Sequence, residues 1–178
     1  MKKMLSPKGM KTVKMFHILF ASWWIGALVA MWFLSFWPAK TGDELYTLLS
    51  AILLVDDFVL VPGATVVFIT AIIYGVKTNF GFFKQRWLTA KWVIALAVAI
   101  IGTFYYHPMT VEAIDIVDKG RDAAMNDPHV LFTIRQTKLY SLQFAALLAI
   151  VIISVFKPWK KTVNKSAVNG SNKNISNQ

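Results

Sequence analysis

The sequence predicts an all-α integral membrane protein: a four-helix bundle with its N- and C-termini in the cytoplasm and a short amphipathic helix in the outer loop between spans three and four. Three observations carry this. Of 178 residues, 56% are apolar and 16% charged, a balance too apolar for an ordinary soluble domain. Most charges lie in the segments that flank and join four long apolar runs. Those segments also alternate in sign along the chain.

The first run lies in "TVKMFHILFASWWIGALVAMWFLSFW" and carries no formal charge from Met15 to Trp37. At ~1.5 Å per residue it crosses the ~30 Å hydrocarbon core of a bilayer with some tilt to spare. The preceding residues 1–14 are basic and resemble a signal-peptide n-region. The run is too long and aromatic for an h-region, and no small-x-small cleavage site follows, so a retained first span is expected. Further runs at about 52–76, 87–107 and 139–157 complete the set. Each must be a helix, because lipid offers no partners to backbone N–H and C=O groups. Residues 15–160 thus form one membrane domain, and the polar end "VNKSAVNGSNKNISNQ", within 161–178, is expected to be a disordered cytoplasmic tail.

Lysine and arginine choose the orientation. Lys2, Lys3, Lys8, Lys11 and Lys14 precede span one; Lys77, Lys84 and Arg86 join spans two and three; Lys157, Lys160, Lys161, Lys165 and Lys173 follow span four. None of these regions holds a carboxylate. The other loops are richer in acid: Asp43 and Glu44, then Glu112, Asp115, Asp118, Asp122 and Asp127. The positive-inside rule therefore places both termini at the cytoplasmic face of the cell's inner membrane. The net charge of +10 then faces anionic headgroups, and no nucleic-acid partner is implied.

In the longer outer connection, "MTVEAIDIVDKG" sets Val111, Ile114 and Val117 on one face, which predicts an amphipathic helix lying at the interface. In "NDPHVLF", Asp127 is an N-cap candidate with Pro128 at the first helical position, so span four is expected to begin there and enter the bilayer near Leu139.

The absence of cysteine excludes disulfides, iron–sulfur clusters and thiolate metal sites. No P-loop, G-x-S-x-G, H-E-x-x-H or G-x-G-x-x-G pattern occurs. What remains is polarity inside the spans, which is costly and therefore informative. His17 and Lys91 are placed at similar depth near the cytoplasmic edge, on spans one and three. Lys91 shares a face with Ala95, Val98 and Gly102, a small-residue stripe that points it into the bundle; snorkelling to the headgroups is the alternative. His17 shares its face with Ala21, Trp24 and Leu28, and an incidental interfacial histidine is the plain alternative to a ligand. Ser22, Gly26 and Ala30 form a second ridge, most simply a packing surface. Toward the outside, Asp56, Asp57, His107 and Gln143 form another layer. There an Asp57–His107 pair could carry protons or bind a cation, or both residues could be solvated by the interface. Pro62 is expected to kink span two just inside the acids. His107 with Met109 suggests copper only weakly.

The stretches "KMFHILFASWWIG", "VPGATVV", "RWLTAKW" and "SVFKPW" resemble, in order and spacing, a small membrane group. It comprises the HemJ-type protoporphyrinogen oxidases, the copper-resistance D proteins and a related family of uncharacterised integral membrane proteins. The likeness covers roughly residues 11–160. It implies haem b or a porphyrin near the cytoplasmic side, with His17 as the metal ligand and His17, Lys91 and Trp24 as the cofactor-binding residues. Two departures favour the uncharacterised branch over porphyrinogen oxidation. Gly102 stands where the oxidases tend to carry a histidine, and "LYSLQF" replaces a Glu–x–Pro-like element. The expected partners are the lipid bilayer, a porphyrin or membrane redox partner, and a second copy of the chain in a homo-oligomer. A small permeation protein for copper or another cation, or a non-catalytic membrane component, are the rival roles.

Overall fold

The computed structural model describes residues 5–77 and 86–156. The loop at 78–85, the end of span four and the tail at 161–178 lie outside the described residues. Within them the chain is helical, without strands. The helices are α1 (Pro7–Leu34), α2 (Gly42–Val55), α3 (Val61–Lys77), α4 (Arg86–Ile101), α5 (His107–Lys119), α6 (Pro128–Thr137) and α7 (Tyr140–Phe156).

Ser6 caps α1 by accepting from the Gly9 amide, with Pro7 at the first helical position. This is the cheapest start for a helix, since proline's missing N–H would have had no partner there. Thr41 caps α2 through the Glu44 amide, and Asp127 caps α6 through the amides of His129 and Val130. Asp127 and Pro128 occupy the positions that their sequence order predicts. The helix they start is interrupted at Lys138–Leu139 before α7 begins.

Two elements extend well beyond the runs read from hydropathy. Span two is a continuous helical rod of 36 residues, Gly42–Lys77, and span three one of 34, Arg86–Lys119. At ~1.5 Å per residue each is ~50 Å long. Both outreach a ~30 Å hydrocarbon core. Helix α5 is thus the direct continuation of span three, whereas an amphipathic helix lying on the interface was expected. Its apolar stripe finds protein before lipid: Ala113 and Val117 are sealed against Leu45 and Leu49 of α2, Ala124, and Val130 of α6. The α2 start is tied to the following loop, where the Gly42 amide donates to Asp122 Oδ1 at 3.1 Å. Arg121 lies 3.6 Å from the centre of the Tyr46 ring and pairs with Asp118 at 2.8 Å.

Each long rod contains one π-helical turn, Asp56–Leu60 in span two and Gly102–Tyr106 in span three. The two are placed alike relative to a proline: Val61 and then Pro62 follow the first, His107 and then Pro108 the second. Proline donates no hydrogen bond, and its ring crowds the carbonyl one turn back. A widened turn relieves that crowding, with the Val61 amide donating to Asp56 O and the His107 amide to Gly102 O. The kink expected at Pro62 is resolved in this way.

In the membrane half, α1 packs along α3 and α7, and α4 packs along α7. Gly63 sets the α1–α3 approach: a Cβ there would lie 3.2 Å from Trp24 N and 3.4 Å from Phe20 O. The core joins Trp24, Leu28, Ala64, Val67, Val98 and Leu147. The ridge of Ser22, Gly26 and Ala30 was expected to be a packing surface; all three are exposed, with nothing within 4 Å of a Cβ at Gly26. The face of α1 that packs carries Phe20, Trp24 and Leu28 instead, because large side chains bury more apolar area per contact. Phe33, Phe58, Phe104, Leu142 and Val155 point outward, as four helices apolar enough to cross a membrane require.

Candidate functional site

The chain reverses direction at each connection, so one end of the bundle gathers the start of α1, the ends of α3 and α7, and the start of α4. There the Leu5 amide donates to Lys77 O at 3.3 Å and the Tyr74 hydroxyl to Met10 O at 2.6 Å. The basic side chains of Lys8, Lys11, Lys14, Lys77 and Arg86 lie at this end.

One to two turns further in, half-buried His17 places Nδ1 2.9 Å from Thr70 Oγ1 of α3. The roles in this bond follow from counting protons. The Thr70 hydroxyl has one, and it is directed at the helix carbonyls of Val66 and Val67, at 2.7 and 2.9 Å. Towards His17 the hydroxyl therefore accepts, and Nδ1 carries the proton. In the neutral ring Nε2 then bears the lone pair, and no partner holds it among the described residues.

Lys91 is half-buried on α4, with Nζ 5.4 Å from the centre of the Trp87 ring one turn earlier. Its charge acts on the His17 imidazole, so the two residues share a neighbourhood across helices α1 and α4. Trp24 is 3% exposed and belongs to the apolar core. Its ring lies 5.8 Å from Phe68, which in turn lies 6.0 Å from Trp92 of α4. These aromatics form a wall beyond the His17–Thr70 pair.

A second polar group lies at the other end of the membrane half, where the two π-turns come together. Asp57 Oδ1 and His107 Nε2 are 3.1 Å apart, at side-chain exposures of 43% and 36%. Asp56 completes a triangle whose ligand-capable atoms all lie within 4.8 Å of one another. The two neighbouring aspartates diverge as helix geometry demands, Asp56 facing inward and Asp57 outward. Behind Asp56, buried Tyr140 packs with Tyr106, whose carbonyl accepts from the Thr110 hydroxyl at 2.9 Å. Gln143, one turn along from Tyr140, is buried with Nε2 unpartnered. Met109 turns away from His107 into the cluster of Met31, Ile52 and Tyr140. Residues two apart on a helix face nearly opposite sides, so His107 and Met109 do not form a copper pair.

The structure also contains pairings that sequence reasoning missed. Thr70 is one; its signal was a hydroxyl set mid-span at a depth matching His17. Glu112 and His129 are another, Oε2 to Nε2 at 3.3 Å, joining α5 to α6. Nothing in their spacing announces that contact.

No protein-family model, curated protein or solved structure matches the chain. What the residues do therefore rests on their own geometry.

Proposed function

We propose that this is a multi-pass protein of the cytoplasmic membrane that binds b-type haem or a related metalloporphyrin, in a redox or porphyrin-handling role. His17 would hold the iron and Lys91 would pair with a cofactor carboxylate. The observation that carries it is the His17–Thr70 bond. A metal-binding imidazole needs its second nitrogen held by an acceptor, which sets the tautomer and orients the ring. Thr70 provides that acceptor, leaving Nε2 free to ligate.

The donor set fits a single imidazole ligand to iron, His17. When bound, haem would supply one-electron chemistry at its iron, with a potential set by that ligand and by the apolar surroundings. The chain's own part is to orient His17, to exclude water with Trp24, Phe68 and Trp92, and to set a cation at the basic end of the bundle, where propionates would meet it. The resemblance in "KMFHILFASWWIG" and "RWLTAKW" supports the same two residues. Porphyrinogen oxidation itself gains no support, since Gly102, within a π-turn, supplies no side chain where the oxidases tend to carry histidine.

The test is the absorption spectrum of protein purified in detergent. A Soret band is expected in the wild type and lost in His17→Ala, with insertion intact because alanine suits a spanning helix. Lys91→Met should weaken or shift the band. Haem retained at full occupancy in His17→Ala would remove the proposal.

A further inference from the structure

We infer that Asp56, Asp57 and His107 form a binding site for one divalent cation of the zinc class, clamping spans two and three together at their π-turns. The site is separate from the His17 neighbourhood and does not depend on the haem reading.

The first argument is geometric. Three potential ligand atoms, two carboxylate oxygens and an imidazole nitrogen, converge within 4.8 Å from two different helices. Zinc binds such atoms at ~2.0–2.2 Å. A cation at the centre of the triangle would thus need only small side-chain adjustments. The π-turns contribute directly: Asp56 and Asp57 open one, and His107 follows the other. Each inserted residue rotates the helix beyond it. Here the rotation falls where the acids and the histidine must face each other, and π-turns inside α-helices frequently mark functional sites.

The second argument concerns Asp56 alone. Its side chain is buried at 7% exposure, yet among the described residues no hydrogen-bond donor or salt-bridge cation reaches its carboxylate. A buried carboxylate without a partner is costly, and a second carboxylate beside it adds repulsion. His107 pairs with Asp57 at 3.1 Å and can offset one of the two charges. A dication answers both, displacing the proton from Nε2 and taking the imidazole lone pair as its third ligand. The exposed edges of Asp57 and His107 leave a route of entry and room for water as a fourth ligand.

Ligand chemistry selects the ion. Oxygen and imidazole donors without sulfur suit zinc, and Met109, the nearest thioether in sequence, is packed elsewhere. The site is also distinct from the Glu112–His129 pair further along α5, which supplies only one carboxylate.

Zinc binding to the full-length protein in lipid nanodiscs tests this by calorimetry and by metal content after dialysis. One zinc per chain is expected at micromolar concentration, with a rise in Tm on zinc addition. Asp56→Asn and His107→Gln should each weaken binding at least about tenfold and abolish the zinc-dependent rise in Tm. Glu112→Gln and His17→Ala should bind zinc as the wild type does, the latter even when its haem spectrum is lost. Wild-type protein that takes up no zinc would overturn the inference. Asp56→Asn and His107→Gln proteins that both bind zinc with wild-type affinity would do so equally.

Discussion

Gly42→Ala probes whether the start of span two and the end of span three are locked together as the structure has them. A Cβ at position 42 would lie 2.6 Å from Arg121 Cβ and closer still to the Arg121 carbonyl carbon and oxygen, where ordinary contact is 3.4–4 Å. Two of those obstacles are backbone atoms, so no side-chain rotation relieves the clash. The α2 start and the 120–122 loop would have to part by about an ångström or more. Overpacking of this kind costs about 1–3 kcal/mol. Separation also strains the Gly42 amide bond to Asp122 Oδ1, with a net contribution of about 0.5–1.5 kcal/mol. The total is about 2–4 kcal/mol. At roughly 2–4 °C per kcal/mol for a chain of this size, Tm should fall by roughly 5–15 °C. The assay is thermal unfolding in detergent, followed by circular dichroism and by loss of monodisperse protein. Gly26→Ala is the internal control, because nothing lies within 4 Å of a Cβ there and added helix propensity should leave it neutral or slightly stabilised. Equal Tm values for the two variants would refute the close approach, and with it the packing of α2 against the end of α5 and the loop that follows it.

Thr70→Val removes the acceptor on His17 Nδ1 while keeping the branched shape. Loss of such an orienting partner typically weakens metal binding about 10–100-fold. Haem competition with a scavenging protein should show that loss, and an unchanged affinity would mean that the hydroxyl does not set the tautomer. Orientation can be read with single cysteines, since the chain has none of its own. In intact cells an impermeant thiol reagent should label Thr41→Cys and Lys119→Cys but spare Lys11→Cys; labelling at position 11 would invert the topology.

Asp56 shows why a polar layer read from depth is only half of a site. Depth put both aspartates, His107 and Gln143 at one level, and helix geometry required the aspartates to diverge. Which one turned inward depended on the phase of span two, and that phase is changed by the π-turn that they open. The proline offset shared by both rods, Pro62 and Pro108, is the signal that could have located these turns, because the steric cause is local. The Glu112–His129 contact had no such signal, since it depends on how α6 folds back onto α5.

The sequence by itself determined the four apolar helices, the basic and acidic ends, the caps at Asp127 and Pro128, and the shared depth of His17 and Lys91. Each depends on properties that act locally or sum along the chain: hydropathy, charge, capping and helical rise. Only the tertiary structure decided that the second and third helices continue far past the bilayer length. Hydropathy marks where a helix stops being apolar, whereas α5 ends where Ala113 and Val117 cease to find α2 and α6. It alone set Trp24 and Leu28, and not the Ser22–Gly26–Ala30 ridge, as the packed face of α1. It alone gave His17 its Thr70 partner and brought Asp57 to His107. Those contacts join residues about 50 positions apart, and a pairing across helices is fixed by rotation and packing, which no local pattern encodes.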